Sequence, residues 1–505
     1  MKYALVARIT LITRVTLIAL ITMGVPDAAA QKLPRSTPEK QGLSSTAVLN
    51  FVKAAEEKID ALHSFVLLRH GQVVAEGWWH PYSAEQRHRL YSLSKSFTAT
   101  AIGLAVDAGA LSLDDLVLDH FPDDLTAMPH RNLRAMRIRD LLIMSTGHLH
   151  DTAGDMFSGG DTPWVETFLE LPVEYRPGTH FTTNLGASYM LAAILQRATG
   201  ENVVDYLQPR LFEPLGIRGY RWQQSPQGIS AGGWGLRLKT EDLARFGQLY
   251  LQKGLWNGER ILSEQWIETA TTRQTATGSD PASDWEQGYG YHFWLGRHNA
   301  YHSDGAFGQF CVVMPEQDAV LALTGGVASY KTQDVLNLVW EHLLPALRPD
   351  SLEADKQAHA ALSDKLSFLF LKPLRGASYV PKAEDISGQL FEFADNRQGV
   401  EAISFDFGRG GNAFTIHDQQ GKHRIRVGHG TWLKGETAYD SQGDPEPIAT
   451  SGGWTDNEVF MARIFFTETA HSAKLEFDFS EGRLRFDFGY NVAFGIVRRP
   501  QLISE

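Results

Sequence analysis

The sequence predicts an α/β (α+β) chain: a long body of mixed helices and strands, followed by a small all-β C-terminal domain. Three observations carry this. Helical and strand-like periodicities alternate from about Gln31 to Leu347, the chain turns polar from 346 to about 382, and beyond that the hydrophobic period becomes two. A length of 505 residues, 43% hydrophobic and 21% charged, can bury the cores of two or three such units.

Composition excludes several classes. A net charge of −12 disfavours a protein that neutralises nucleic-acid phosphates. The single cysteine, Cys311, excludes an internal disulfide framework and a Cys-rich zinc site, and its apolar run Phe310-Cys311-Val312-Val313-Met314 reads as a core strand. Chemistry must therefore come from Ser, Lys, Tyr, His, Asp or Glu.

Lys2, Arg8 and Arg14, the uncharged run 15–25 and Ala28-Ala29-Ala30 form the pattern of a secretory signal, residues 1–30, cleaved after Ala30. The alternative is an uncleaved anchor, but the run is shorter than the roughly 20 residues that span a bilayer. The expectation is an exported protein, periplasmic or secreted, with no membrane span once the signal is removed.

In the body, residues 64–69 and 73–77 read as a hairpin around His70-Gly71-Gln72. Residues 96–108 have helical spacing and stop at Gly109; residues 190–199 do the same and stop at Gly200. Residues 310–314 and 319–323 read as neighbouring strands separated by Pro315-Glu316-Gln317-Asp318, and 335–344 as a helix closed by Pro345. The body is taken as 31–347, and a linker with a short helix as 348–382. In the remainder, 383–505, Leu475-Glu476-Phe477-Asp478-Phe479 and Arg483-Leu484-Arg485-Phe486-Asp487-Phe488 alternate as a half-buried antiparallel hairpin does.

Within Leu90-Tyr91-Ser92-Leu93-Ser94-Lys95-Ser96-Phe97, a serine and a lysine stand three apart where a helix begins. That spacing puts both side chains on one face, and the helix start favours developing negative charge. Burial would lower the Lys95 pKa and leave an amine able to take the Ser92 proton, so the pair can perform acyl transfer without histidine. The competing reading makes Ser92 an N-cap and Lys95 a solvated helix residue.

The longer context decides between them. Tyr91-Ser92-Leu93-Ser94-Lys95-Ser96-Phe97, Gly109-Ala110-Leu111-Ser112-Leu113-Asp114-Asp115, Arg139-Asp140-Leu141-Leu142-Ile143-Met144-Ser145-Thr146-Gly147-His148, Pro177-Gly178-Thr179-His180-Phe181, Gly232-Gly233-Trp234-Gly235-Leu236 and Asp242-Leu243-Ala244-Arg245-Phe246-Gly247 occur in this order. Together they resemble the serine β-lactamase-like hydrolases, the superfamily of AmpC-type β-lactamases, D,D-peptidases and related esterases and amidases. The resemblance implies a β-lactamase/transpeptidase-like antiparallel sheet with flanking helices plus an all-helical lobe, the site lying in the cleft between them. It implies Ser92 as nucleophile, Lys95 as its activator, and an oxyanion hole from the backbone N–H of Ser92 and one near Ala306. It requires no metal or other cofactor.

Two of the family's motifs are altered. The second, usually Tyr-x-Asn, corresponds to Phe181-Thr182-Thr183-Asn184, so Thr183 stands where the tyrosine should be. A threonine hydroxyl is a far weaker acid than a phenol of pKa about 10. Lys95 acting alone, a tyrosine from elsewhere (Tyr189, Tyr289 or Tyr301) and loss of activity remain open, and Asn184 reads equally as a site amide or a cap. The third motif corresponds to Tyr301-His302-Ser303-Asp304-Gly305-Ala306, where His302 or Ser303 supplies the polar side chain and Gly305 a close backbone approach. Trp285, Tyr289, Tyr291 and Trp294 read as core or cleft lining. The expected function is an exported serine hydrolase acting on a small-molecule or short-peptide amide or ester. The alternative is a catalytically impaired binding or sensor protein.

Overall fold

Six strands form the central sheet: β1 (Leu62–Arg69), β2 (Gln72–Trp78), β3 (Trp294–Leu295), β4 (Tyr301–Gly305), β5 (Gln309–Met314) and β6 (Ala319–Gly325). The order is β2-β1-β6-β5-β4-β3, and every neighbouring pair is antiparallel. The computed structural model describes residues 32–505, apart from 60, 126–127, 161, 409 and 442–443. The signal segment 1–30 inferred from sequence lies outside the described residues.

The central strands are apolar throughout because both faces are covered. Val66, Leu68, Cys311, Val313, Val320 and Ala322 face one layer. It contains α2 (Ser94–Asp107), α3 (Leu185–Thr199) and α4 (Thr240–Leu251). Phe65, Leu67, Phe310, Val312, Leu321 and Leu323 face the other, with α1 (Ser45–Lys58) and α5 (Thr332–Leu338). α4 lies close on the sheet at Gly247, where a Cβ would come within 2.7 Å of Cys311 Sγ. This fits the reading of Cys311 as a buried core residue.

The polar stretch after the body contains the short helix expected there, α6 (Lys356–Ser367), and Leu362 and Leu369 join the core beneath α1. The C-terminal strands form two antiparallel sheets, one of four strands between Leu390 and Val427 and one of six between Leu433 and Ile503. Alternate residues of both, among them Phe405, Phe414, Phe460, Phe477 and Phe486, share one core. The hairpin read from the period of two is present, with Phe477 opposite Phe486 and Leu475 opposite Phe488. Residues Leu33–Glu505 form a single compact unit. Arg237 is bound through one guanidinium nitrogen to Glu446 at 2.6 Å and to Glu468 at 3.2 Å, so ion pairs join the body to the C-terminal sheets. Among the described residues no helix is long and apolar enough to cross a membrane.

Candidate active site

Ser92 lies on a single 3-10 turn, Tyr91–Leu93, that runs directly into α2. Neither the turn nor the helix is capped by a side chain, so Ser92 is not an N-cap. Lys95, in the first turn of α2, is only 6% exposed and is not a solvated helix residue. Both parts of the competing reading therefore fail. Burial holds the Lys95 amine below its ordinary value, against the opposing pull of the Asp304 and Asp151 carboxylates. Ser92 itself is half-buried.

The turn is held from several sides. Ser94 Oγ donates to Tyr91 O at 2.7 Å and accepts Leu236 N–H at 3.2 Å. Ser96 Oγ donates to His292 O at 2.6 Å. Tyr91, just ahead of Ser92, has φ +51°, a left-handed backbone uncommon for a bulky residue and frequent at functional sites. β4 ends against this turn. A Cβ on Gly305 would lie 1.9 Å from Leu90 O, so only glycine permits the approach. Ala306 follows, half-buried, and its carbonyl accepts Gln309 Nε2–H at 2.9 Å.

The other residues singled out from sequence are placed as follows. Ser303 is buried on the sheet face shared with Cys311, which it opposes, and its hydroxyl has no partner. His302 is buried opposite Val312, on the face turned to α1 and α5. Its Nε2 lies 3.1 Å from Asp284 O, a packing position rather than one beside Ser92. Asn184 is buried and caps α3, its Oδ1 accepting Ala187 N–H at 3.3 Å and Thr152 Oγ1–H at 2.8 Å. Its Nδ2 is left without a partner. Thr183 is exposed.

Three features escape a reading of sequence alone. Asp304 accepts the indole N–H groups of Trp285 at 2.9 Å and Trp294 at 2.7 Å, which fixes its carboxylate. The signal that could have found this is the need of a buried indole for an acceptor. Asp151 accepts the backbone N–H of Leu185 at 2.9 Å beside the α3 cap. The third is the C-terminal region, which reaches Tyr91: Ala470 N–H donates to the Tyr91 phenol at 3.2 Å.

The sequence model of the Beta-lactamase family matches residues 57–327, more than half of the chain. The chain belongs to the Beta-lactamase family. It is similar to 6-aminohexanoate-dimer hydrolase of Paenarthrobacter ureafaciens, 24% identical over 319 residues that cover 59% of this chain and 81% of that protein. It is also similar to Penicillin-binding protein 4 of Amycolatopsis lactamdurans, 29% identical over 279 residues, 47% of this chain and 72% of that one. A solved Bacillus anthracis structure, provisionally named a 6-aminohexanoate-dimer hydrolase, shares the fold with a TM-score of 0.51 and 18% identity. It covers 62% of this chain and 89% of its own.

The three tyrosines weighed for the position at which the sequence has Thr183 differ in surroundings. Tyr189 donates to Ser225 Oγ at 3.1 Å and stacks edge-on with Trp164. Tyr301 lies against Phe293 with its ring at 5.9 Å. Tyr289 is buried with its hydroxyl unpartnered, in a box made by Phe181, His292 and Trp294. Burial, reinforced by the Asp304 charge, pushes the Tyr289 phenol well above its ordinary value. The carboxylate that acts on Tyr289 is thus the one that acts on Lys95. His292 feels Lys95 as well, since burial and the lysine charge together hold it well below the usual imidazole range.

Proposed function

We propose that the chain is a serine hydrolase that cleaves a small amide, peptide or ester through an acyl group carried on Ser92. The observation that carries this is the burial of Lys95 three residues beyond a half-buried Ser92 that caps nothing. Neutral Lys95 takes the Ser92 hydroxyl proton as Oγ bonds to the substrate carbonyl carbon, and gives it to the departing nitrogen or oxygen. Water then attacks the acyl carbon and its proton passes to Lys95, which hands it to Ser92 Oγ as the ester C–O bond breaks and the acid is released, restoring the hydroxyl and the neutral amine. The backbone N–H groups of Ser92 and Ala306 receive the oxyanion. Tyr289, kept as a neutral phenol, can donate a hydrogen bond but cannot act as base, so deprotonation falls to Lys95 alone.

The names of the relatives, a 6-aminohexanoate-dimer hydrolase, a penicillin-binding protein and a lovastatin esterase, support both amide and ester substrates. The residue pattern of 1–30 supports export, and a mature N-terminus at Gln31 would establish it. The test of the hydrolase reading is exposure to a fluorophosphonate followed by mass analysis. An adduct on Ser92 that is lost in Lys95→Ala is expected, and an intact protein with no adduct overturns the reading. Exposed Thr183 in place of the tyrosine favours a second reading, a binding or sensor protein. That reading expects reversible ligand binding with Ser92 unmodified.

A further inference from the structure

The body, the segment after α6 and the C-terminal sheets enclose a cavity of about 580 Å³, lined by none of Ser92, Lys95 or Ala306. That volume lies within the roughly 300–1,000 Å³ of small-molecule sites. The body contributes Leu62 of β1, Trp79 just after β2 and Gly326 just after β6. The C-terminal strand Val459–Phe466 contributes Arg463 and Phe465, and Phe368 and Phe370 form the rim.

The rim is held in place. Leu371 N–H donates to His80 O at 2.8 Å, and His80 N–H donates to Leu369 O at 3.0 Å. Trp432 Nε1–H donates to Leu371 O at 2.8 Å, which ties the same segment to the C-terminal region. Leu369 is thereby turned into the core, while Phe368 and Phe370 on either side of it stay 74% and 53% exposed. Two large apolar side chains fixed in the open beside a cavity form a contact surface rather than scattered exposure.

The charge of the cavity is unbalanced. Among the described residues that line it, Glu56 is the one carboxylate, and both its oxygens are engaged, one by Trp79 Nε1–H at 3.1 Å and the other by Lys365. Arg463 is half-buried and has no ion-pair or hydrogen-bond partner among the described residues, and burial alone holds its guanidinium below the ordinary value. The residues opposite it on the two neighbouring strands are Ser451 and Lys474, so the sheet supplies no carboxylate beside it. Lys372 adds a further cation to the lining. A guanidinium drawn out of water with no anion is costly, and an anion from solution would relieve that cost.

We infer that this cavity binds an anionic amphiphile, a monocarboxylate with an unbranched apolar chain, its carboxylate on Arg463 and its chain against Phe368 and Phe370. The guanidinium fork matches a carboxylate through two parallel N–H···O bonds. The chain leaves water and covers the exposed faces of both phenylalanines. Nothing in this depends on the chemistry of Ser92.

Isothermal titration of the full chain with decanoate, below its micelle concentration, tests the proposal. One decanoate per chain is expected. Decanol, which lacks the charge, and acetate, which lacks the chain, should each bind at least about tenfold more weakly. Arg463→Met keeps an apolar stem and removes the fork, so it should weaken decanoate by about tenfold or more and leave decanol unchanged. Phe370→Ala, at an exposed position, tests the same site without touching Arg463 and should weaken decanoate and decanol alike. Decanol binding as tightly as decanoate, uptake of several molecules per chain, or an unchanged decanoate affinity in either folded variant overturns the proposal. So does tighter binding of decyl phosphate than of decanoate, which would assign the cavity to a phosphate headgroup instead.

Discussion

The Tyr91 phenol oxygen, one residue ahead of Ser92, accepts the backbone N–H of Ala470, 379 positions further along the chain, at 3.2 Å. Tyr91 also has the left-handed backbone that turns the chain into the Ser92 segment. The C-terminal sheets therefore help to hold the turn from which Ser92 projects. Burial pushes the Tyr91 phenol up to about 12, so it stays neutral at physiological pH. Tyr91→Phe keeps the ring and removes the acceptor, stranding a buried N–H at a cost of about 1–3 kcal/mol. Urea unfolding should show that loss, and modification of Ser92 by a fluorophosphonate should slow.

The second prediction concerns pH. Burial lowers the Lys95 pKa below its usual 10.5, with Asp304 and Asp151 opposing. The proposed mechanism uses the neutral amine, so activity should rise with pH through that depressed value and be lost below it as the ammonium forms. Asp304→Asn removes an opposing carboxylate and should shift the inflection to lower pH. Lys95→Ala should cut turnover by about 10²–10⁴-fold and abolish the inflection. An unchanged pH profile in Asp304→Asn would place Asp304 outside the electrostatics of the site.

What was legible in the sequence is local. The Ser92–Lys95 relation spans one helical turn, and the β5–β6 hairpin is announced by two apolar runs around Pro315-Glu316-Gln317-Asp318. α3 begins at Leu185, ahead of the expected 190, because buried Asn184 supplies the cap acceptor that lets the helix start there. The side on which His302 lies became visible only through its register with Val312, since alternation in a strand does not say which face is the cleft. Tyr91–Ala470 and Arg237–Glu446 depend on chain segments hundreds of residues apart, and no periodicity carries that information.

The third prediction uses that second pair. Burial tends to raise the Glu446 carboxyl, but the Arg237 guanidinium, with Arg89, outweighs it and leaves Glu446 below its ordinary 4.5. A depressed carboxylate stabilises the fold above its unfolded pKa, and that contribution is lost as pH falls through the lower folded value. Arg237→Met removes the cation that Glu446 and Glu468 share but leaves Arg89 on Glu446 at 3.2 Å and Arg87 on Glu468 at 3.1 Å, at a cost of about 1–3 kcal/mol at neutral pH. Acidification protonates the Glu446 carboxyl and removes its share of the penalty. The stability gap between wild type and variant, followed by chemical unfolding, should be widest at neutral pH and narrow in acid.

The fourth prediction isolates the approach of β4 to the Ser92 turn. A methyl on Gly305 would meet Leu90 O at 1.9 Å, well inside van der Waals contact, and the next nearest atoms are Leu90 C and the Gln309 side chain. The obstacle is backbone, so no rotamer change relieves it. Gly305→Ala must move β4 away from the turn, straining a packed edge by about 1–3 kcal/mol. Because Ala306 follows directly, the same movement withdraws its N–H from any oxyanion formed at Ser92. Loss of one such donor lowers turnover by about 10²–10³-fold. The expected result is a folded protein with modestly lower stability and a disproportionate loss of turnover. A variant that lost stability but kept its rate would show that the Ala306 N–H takes no part.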